Sequence, residues 1–214
     1  MPDNKTQVIG LIVQNGKIVS PNPLYDGLKD NAKRPGHYVR GGVGFDKDGA
    51  PSITWPATDA NWKRNSDVVS YTSPTPSGAD IGTKWSVRDA VVCGPVIAHD
   101  GHIAISDYPE HLVMASEYPR TFVAYDGNGA SKHFVLGVIT GAYFPYLARF
   151  LEYYFRVVDD THLGSAVCLD GGPSSQLSFR QGHNIVSPLA TGVECPDAII
   201  LVPSPRPVAA SVAP

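Results

Sequence analysis

The stretch CLDGGPSSQLSF, residues 168–179, places one carboxylate, two glycines and two hydroxyls within six consecutive positions, Asp170 to Ser175. Apolar residues lead into Asp170 and return after Ser175, so the polar run falls where one strand ends and another element begins. Gly171 and Gly172 allow backbone conformations that other residues resist, and they let a ligand come close to the main chain. Ser174 and Ser175 add hydroxyls. A short helix opening at Pro173 would turn its first N–H groups toward the same spot and make an anion site. Asp170, held at the strand end, would stand beside that site as a base, an acid or an orienting group. The same residues also suit an ordinary turn capped by its serines, and spacing alone leaves both readings open.

Cationic partners for an anion come next. Arg120 and Thr121 open the run RTFVAYDGNGA, and Arg40 opens the similar run RGGVGFDKDGA. A guanidinium donates two parallel hydrogen bonds, which suits a phosphodiester. Glu117, just before Tyr118-Pro119-Arg120, is a second carboxylate for a catalytic role. His37 lies three residues before Arg40, within reach of the same region. The acidic pair Asp159-Asp160 reads as the solvated end of a helix. His99 and His102 flank a hairpin tip, too few ligands for a metal, so they are expected to be surface residues, and no metal or cofactor is expected. Cys93, Cys168 and Cys195 stand in apolar surroundings without CxxC spacing or an adjacent base. They read as buried free thiols rather than nucleophiles.

These residues need a scaffold. GLIVQNGKIVS (10–20) and PVIAHDGHIAIS (95–106) each set an Asn-Gly or Asp-Gly turn between β-rich runs, the signature of a two-residue hairpin. Each is followed, in the same order, by one of the two Arg-led runs. The matching segments are about 80 residues apart, which suggests an internal duplication with two pseudo-symmetric β units. Residues 144–158 form the best helix: Leu147, Phe150, Leu151, Tyr154 and Val158 recur at helical spacing, and Pro145 sits in the first turn. A shorter helix is expected over 109–118 and a buried strand over 196–202. The Ser/Thr/Pro-rich span from Pro51 to Lys84 reads as loops around short strands. The expected fold is therefore α+β, with mixed or antiparallel sheets, an internal pseudo-duplication and one main helix. Residues 1–203 form a single domain, and 204–214 form a disordered Pro/Ala-rich tail.

Bulk properties bound the function. The chain has 214 residues, 43% of them hydrophobic and 17% charged, which is enough to bury a core. Its net charge is −3, with no basic cluster beyond Lys33-Arg34. That excludes a phosphate-gripping nucleic-acid face. No apolar run is long enough to span a membrane, and the first residues lack the apolar core of a signal peptide. As written the chain is expected to be cytoplasmic, or secreted if it is a fragment of a longer precursor.

CLDGGPSSQL resembles the NLDGGGSST signature of the phosphodiester glycosidase family. CGPVIAHDGHI (93–103), YPRTFVAYDGNG (118–129) and VIGLIVQNGKIVS (8–20) resemble further family segments, so the likeness spans roughly residues 8–202. Two departures stand out. The family's NGGFF stretch is absent, the chain beginning just after its place, and Pro173 replaces the third glycine. The proline removes one N–H donor and restricts Gly172. The resemblance implies a hydrolase that cleaves a sugar-1-phosphodiester or related glycosidic bond. Asp170 would carry the reaction, with Glu117 as the other catalytic carboxylate. Arg40, Arg120, Thr121, Gly171, Gly172, Ser174 and Ser175 would bind substrate. The partner would be a phosphorylated sugar or nucleotide. The departures keep a second function in view, a non-catalytic protein that sequesters such a ligand on the same scaffold.

Overall fold

The computed structural model describes residues 10–21, 39–58, 67–76, 80–105, 117–127, 133–190 and 199–200. The order of elements is β1 (Ile12–Gln14), β2 (Lys17–Ser20), β3 (Gly41–Phe45), β4 (Pro51–Thr58), β5 (Val68–Tyr71), β6 (Thr83–Lys84), β7 (Asp89–Gly94), β8 (Val96–His99), β9 (His102–Ile103), β10 (Tyr118–Asp126), β11 (Phe134–Ala142), α1 (Phe144–Val157), β12 (Leu163–Cys168), β13 (Leu177–Gln181) and β14 (Asn184–Leu189). A seven-stranded sheet runs β2-β1-β7-β3-β4-β5-β6 and a five-stranded sheet runs β11-β10-β12-β8-β9. β13 and β14 form a separate hairpin. Every strand pairing among the described residues is antiparallel.

Both predicted hairpins form. Asn15-Gly16 and Asp100-Gly101 have positive φ at both turn positions, which is the two-residue geometry that matches strand twist. The two sheets also share a strand order. In each, a tight hairpin lies at one edge (β2-β1, β9-β8), then a strand later in sequence than the two beyond it (β7, β12), then an Arg-preceded or Arg-bearing strand (β3, β10), then its antiparallel neighbour (β4, β11).

Alternation in β10 and β12 explains how the layers stack. Phe122, Ala124, Ala166 and Cys168 face α1 and pack with Phe144, Leu147, Leu151 and Phe155. Their neighbours Val123 and Val167 face the other sheet and pack with Val43, Ile53 and Trp55. These two strands are thus buried on both faces, and the order of layers is sheet, sheet, helix. The Ile53 N–H donates to the Tyr125 hydroxyl at 3.1 Å, a polar tie between the sheets. Each large α1 side chain in the core contributes about 1.5–3 kcal/mol by leaving water. A further apolar cluster, including Leu11, Val13, Val68 and Val92, belongs to the seven-stranded sheet.

α1 begins at Phe144 with a proline in its first turn, as its sequence predicts. The span from Pro51 to Lys84 holds the short strands β5 and β6, as expected, but its first part is a correction. Residues 51–58 form an unbroken eight-residue strand whose first half pairs with β3 and whose second half pairs with β5. Its prolines suggest a loop, yet Pro51 is the first residue, where a missing donor is tolerated, and residues 53–58 are buried. The predicted helix at 109–118 lies outside the described residues except for its end, where Glu117 is coil and Tyr118 opens β10. Of the predicted strand 196–202 only residues 199–200 are described, and they are not in a strand. Residues 204–214 lie outside the described residues.

Candidate functional site

β12 delivers Asp170. Its last residue, Cys168, pairs with Phe122 of β10, and the chain then stays fastened to β10: the Leu169 N–H donates to the Thr121 carbonyl at 2.8 Å. The Cys168 thiol donates to the same carbonyl at 3.2 Å. On the other side, the Cys168 N–H donates to the Pro95 carbonyl at 3.0 Å. Asp170 therefore emerges from a strand end pinned on both flanks, and it is exposed. Its Oδ1 accepts the Gly171 N–H at 2.9 Å, which fixes the carboxylate over the turn.

The turn is shorter and more self-contained than the sequence suggests. Gly172–Ser174 make a single 3₁₀ turn, and Gly171 before it is extended. The Ser174 N–H donates to the Gly171 carbonyl at 3.2 Å and the Ser175 N–H to the Gly172 carbonyl at 3.1 Å. With the Gly171 N–H on Asp170, most of the amides expected to face an anion are spent inside the turn. Pro173 takes a first-turn position, where its missing N–H breaks no bond of the turn. Gly172 has φ +59, a conformation that favours glycine.

Arg120 lies beneath this turn. A Cβ on Gly171 would stand 3.6 Å from the Arg120 Nη1 and 3.1 Å from the Pro119 carbonyl oxygen. The arginine is 7% exposed. Its Nε donates to the Ala142 carbonyl at 3.3 Å. Its guanidinium carbon sits 4.1 Å from the centre of the Phe144 ring and 5.7 Å from that of Tyr118. A plain surface arginine at a strand start is thereby excluded. The aromatic pair and the Ala142 carbonyl are parts of the site that sequence reading misses. Phe144 reads only as the first core residue of a helix, and nothing in YPRT reveals its contact with Arg120. Cys168 senses both charges. Burial pushes its thiol up to about 12, Arg120 pulls it down and Asp170 pushes it up. It is a buried structural thiol, as expected.

Thr121 and Ser175 add buried hydroxyls. Both side-chain oxygens lack a hydrogen-bond partner among the described residues, and Ser175 is fully buried. Ser174 is half-buried. Arg40 is half-buried and directly precedes β3. Gly41 pairs with Gly94, and a Cβ on Gly94 would lie only 2.1 Å from the Cys168 carbonyl oxygen. The Arg40 main chain thus reaches the same end of β12 as Asp170. Glu117 does not join this group. It is exposed, and its Cβ lies 4.0 Å from where a Gly141 Cβ would stand, toward β11, whereas Asp170 follows β12 on the other side of β10.

The histidines differ from expectation in part. His102 is exposed, but His99 packs edge-on against Trp55 with 4.9 Å between ring centres. Among the described residues no group of three or more His, Cys, Asp or Glu could hold a metal ion. His37 and Cys195 lie outside the described residues, and so does the Cys93 side chain. No helix among the described residues is long and apolar enough to cross a membrane.

The family model for phosphodiester glycosidases matches residues 2–202. The chain belongs to the phosphodiester glycosidase family. Among solved structures it is similar to the zebrafish N-acetylglucosamine-1-phosphodiester alpha-N-acetylglucosaminidase catalytic domain, auto-inhibited by its pro-peptide, with a TM-score of 0.46 and 17% identity. That match covers 82% of this chain and 50% of the zebrafish chain, so this chain spans about half the length of that relative. No curated protein matches it. The run by which this chain resembles its family, residues 168–177, thus forms the pinned β12 end and the 3₁₀ turn above Arg120.

Proposed function

We propose that this chain hydrolyses the bond between a sugar's anomeric carbon and the phosphate of a phosphodiester. The observation that carries the reading is the stacking of three parts: an exposed carboxylate fixed at a strand end, a Gly-Gly turn beside it, and a buried guanidinium under that turn. Family membership supports the same chemistry.

In the reaction, a water adds to the anomeric carbon as the carbon–oxygen bond to phosphate breaks. The phosphate leaves with the electron pair and needs little proton donation, because a phosphodiester anion already carries a phosphate monoester away as a weak base. Positive charge grows on the sugar, and the Asp170 carboxylate stabilises it or takes the proton from the attacking water. Negative charge grows on the departing oxygen. The buried Arg120 charge beneath the turn favours an anion bound above it. Gly171 and Gly172 leave the main chain open to the phosphate. Ser174, Ser175 and Thr121 offer hydroxyls, and Arg40 a second cation from the neighbouring sheet. The shared strand order supports reading that sheet as a duplicated unit, with Arg40 and Arg120 in corresponding places. Glu117 is left a peripheral role.

A second reading, capture of a phosphorylated sugar or nucleotide without turnover, is favoured by one observation. The turn spends the N–H groups of Gly171, Ser174 and Ser175 internally, and Pro173 has none to give. The two readings separate when the protein is incubated with a panel of sugar-1-phosphodiesters and nucleotide sugars, denatured, and the released small molecules are identified. Split products support hydrolysis. Stoichiometric release of intact ligand supports capture.

A further inference from the structure

At the opposite end of β12 from Asp170, roughly 20 Å away along the strand, α1 and the start of β12 border an open cleft of about 430 Å³. Arg149, Glu152, Tyr153 and Arg156 line it from the helix, and Thr161, His162 and Leu163 from the chain that enters the strand. All four helix residues are exposed. Arg149 and Arg156 are seven residues apart, so they share one face of the helix and are separated by about 10 Å along its axis. Tyr153 lies between them, 54% exposed.

The charges of this cleft are unspent. Glu152 has the three- and four-residue spacing to the two arginines that usually yields ion pairs, yet among the described residues the side chains of both arginines and of Glu152 have no hydrogen-bond or ion-pair partner. A concave surface with two guanidinium groups, a carboxylate, a hydroxyl and an imidazole, built around an open aromatic ring, matches an extended polar ligand. A lone phosphate is too small to reach both arginines, and Glu152 would repel a compact dianion. A saccharide meets each group in kind: anionic substituents on the guanidinium groups, hydroxyls on Glu152, Thr161 and His162, and an apolar sugar face on Tyr153.

We propose that this cleft binds an acidic saccharide, its anionic groups held by Arg149 and Arg156 and one sugar ring laid on Tyr153. The site is separate from the Asp170 turn. A carboxylate or a sulfate on the sugar would serve alike, because guanidinium recognises both.

Calorimetry on the full chain tests this with tetragalacturonic acid, a sulfated oligosaccharide, neutral maltotetraose and inorganic phosphate. One or both acidic oligosaccharides should bind, and which one binds identifies the anionic group. The Arg149→Ala/Arg156→Ala double variant should weaken that binding on the order of tenfold or more. Tyr153→Ala should weaken it and Tyr153→Phe should not. These side chains are exposed, so thermal melting should stay unchanged and a loss of binding cannot be ascribed to unfolding. Equal affinity in the double variant, equal affinity for maltotetraose or for inorganic phosphate, or no binding of either acidic oligosaccharide would overturn the proposal.

Discussion

At the scale of single residues, Arg120 and Cys168 show how burial defines the site. Arg120 is held by an aromatic ring and a backbone carbonyl, so it acts as a fixed charge rather than a mobile grip. Arg120→Ala should weaken binding of a phosphate-bearing ligand by about 2–3 kcal/mol, as loss of a charged hydrogen-bond donor does, and titration calorimetry reads this directly. Arg120→Lys should recover only part, since it keeps the charge but loses the planar group that stacks on Phe144. Cys168 makes a prediction about pH. Its thiol stands at about 12 in the folded chain against the usual 9.0. The folded chain keeps its proton where the unfolded chain has released it, so the contribution to stability is whole below about pH 9 and is lost as pH rises toward about 12. Urea midpoints measured from pH 8 to 11 should fall, and fall less steeply in Cys168→Ala. Tyr125, also raised mainly by burial, supplies alkaline loss in the same direction and accounts for slope that remains.

At the scale of elements, two glycines separate two kinds of constraint. Gly172 has φ +59 but nothing within 4 Å of a would-be Cβ, so Gly172→Ala should cost roughly 1–2 kcal/mol from backbone conformation alone. Gly94 has no such φ, yet its Cβ would strike the Cys168 carbonyl. Gly94→Ala must therefore part β7 from β12, and it should be the more damaging of the two in chemical denaturation. The sequence makes some elements legible because their signals are local. Asn15-Gly16 and Asp100-Gly101 specify their turns by themselves, and Pro145 with the apolar spacing specifies α1. The 51–58 strand is not legible, because its prolines argue against a strand while the packing of Ile53 and Trp55 with Val123 and Val167 of the other sheet, distant in sequence, decides the matter. The site divides the same way. Asp170 and its glycines can be read from one short run. The placement of Arg120 on Phe144 cannot, because it depends on β11 turning into α1 beside β10. The donor count of the turn is likewise hidden until its internal hydrogen bonds are seen.

At the scale of the whole molecule, two antiparallel sheets and one helix stack so that β10 and β12 are covered on both faces, and the Asp170 turn forms where the ends of these strands meet the neighbouring sheet. The central claim is that this place breaks a sugar–phosphate bond and that Asp170 is the group responsible. Phosphorus NMR on the full chain, followed over time with a panel of N-acetylglucosamine-1-phosphodiesters and related sugar-1-phosphodiesters, tests it most directly. Wild type should convert at least one phosphodiester resonance to a phosphomonoester, and Asp170→Asn, folded by circular dichroism, should convert none at a measurable rate. Absence of conversion by wild type across the panel, or conversion by Asp170→Asn at a rate close to that of wild type, would contradict the account.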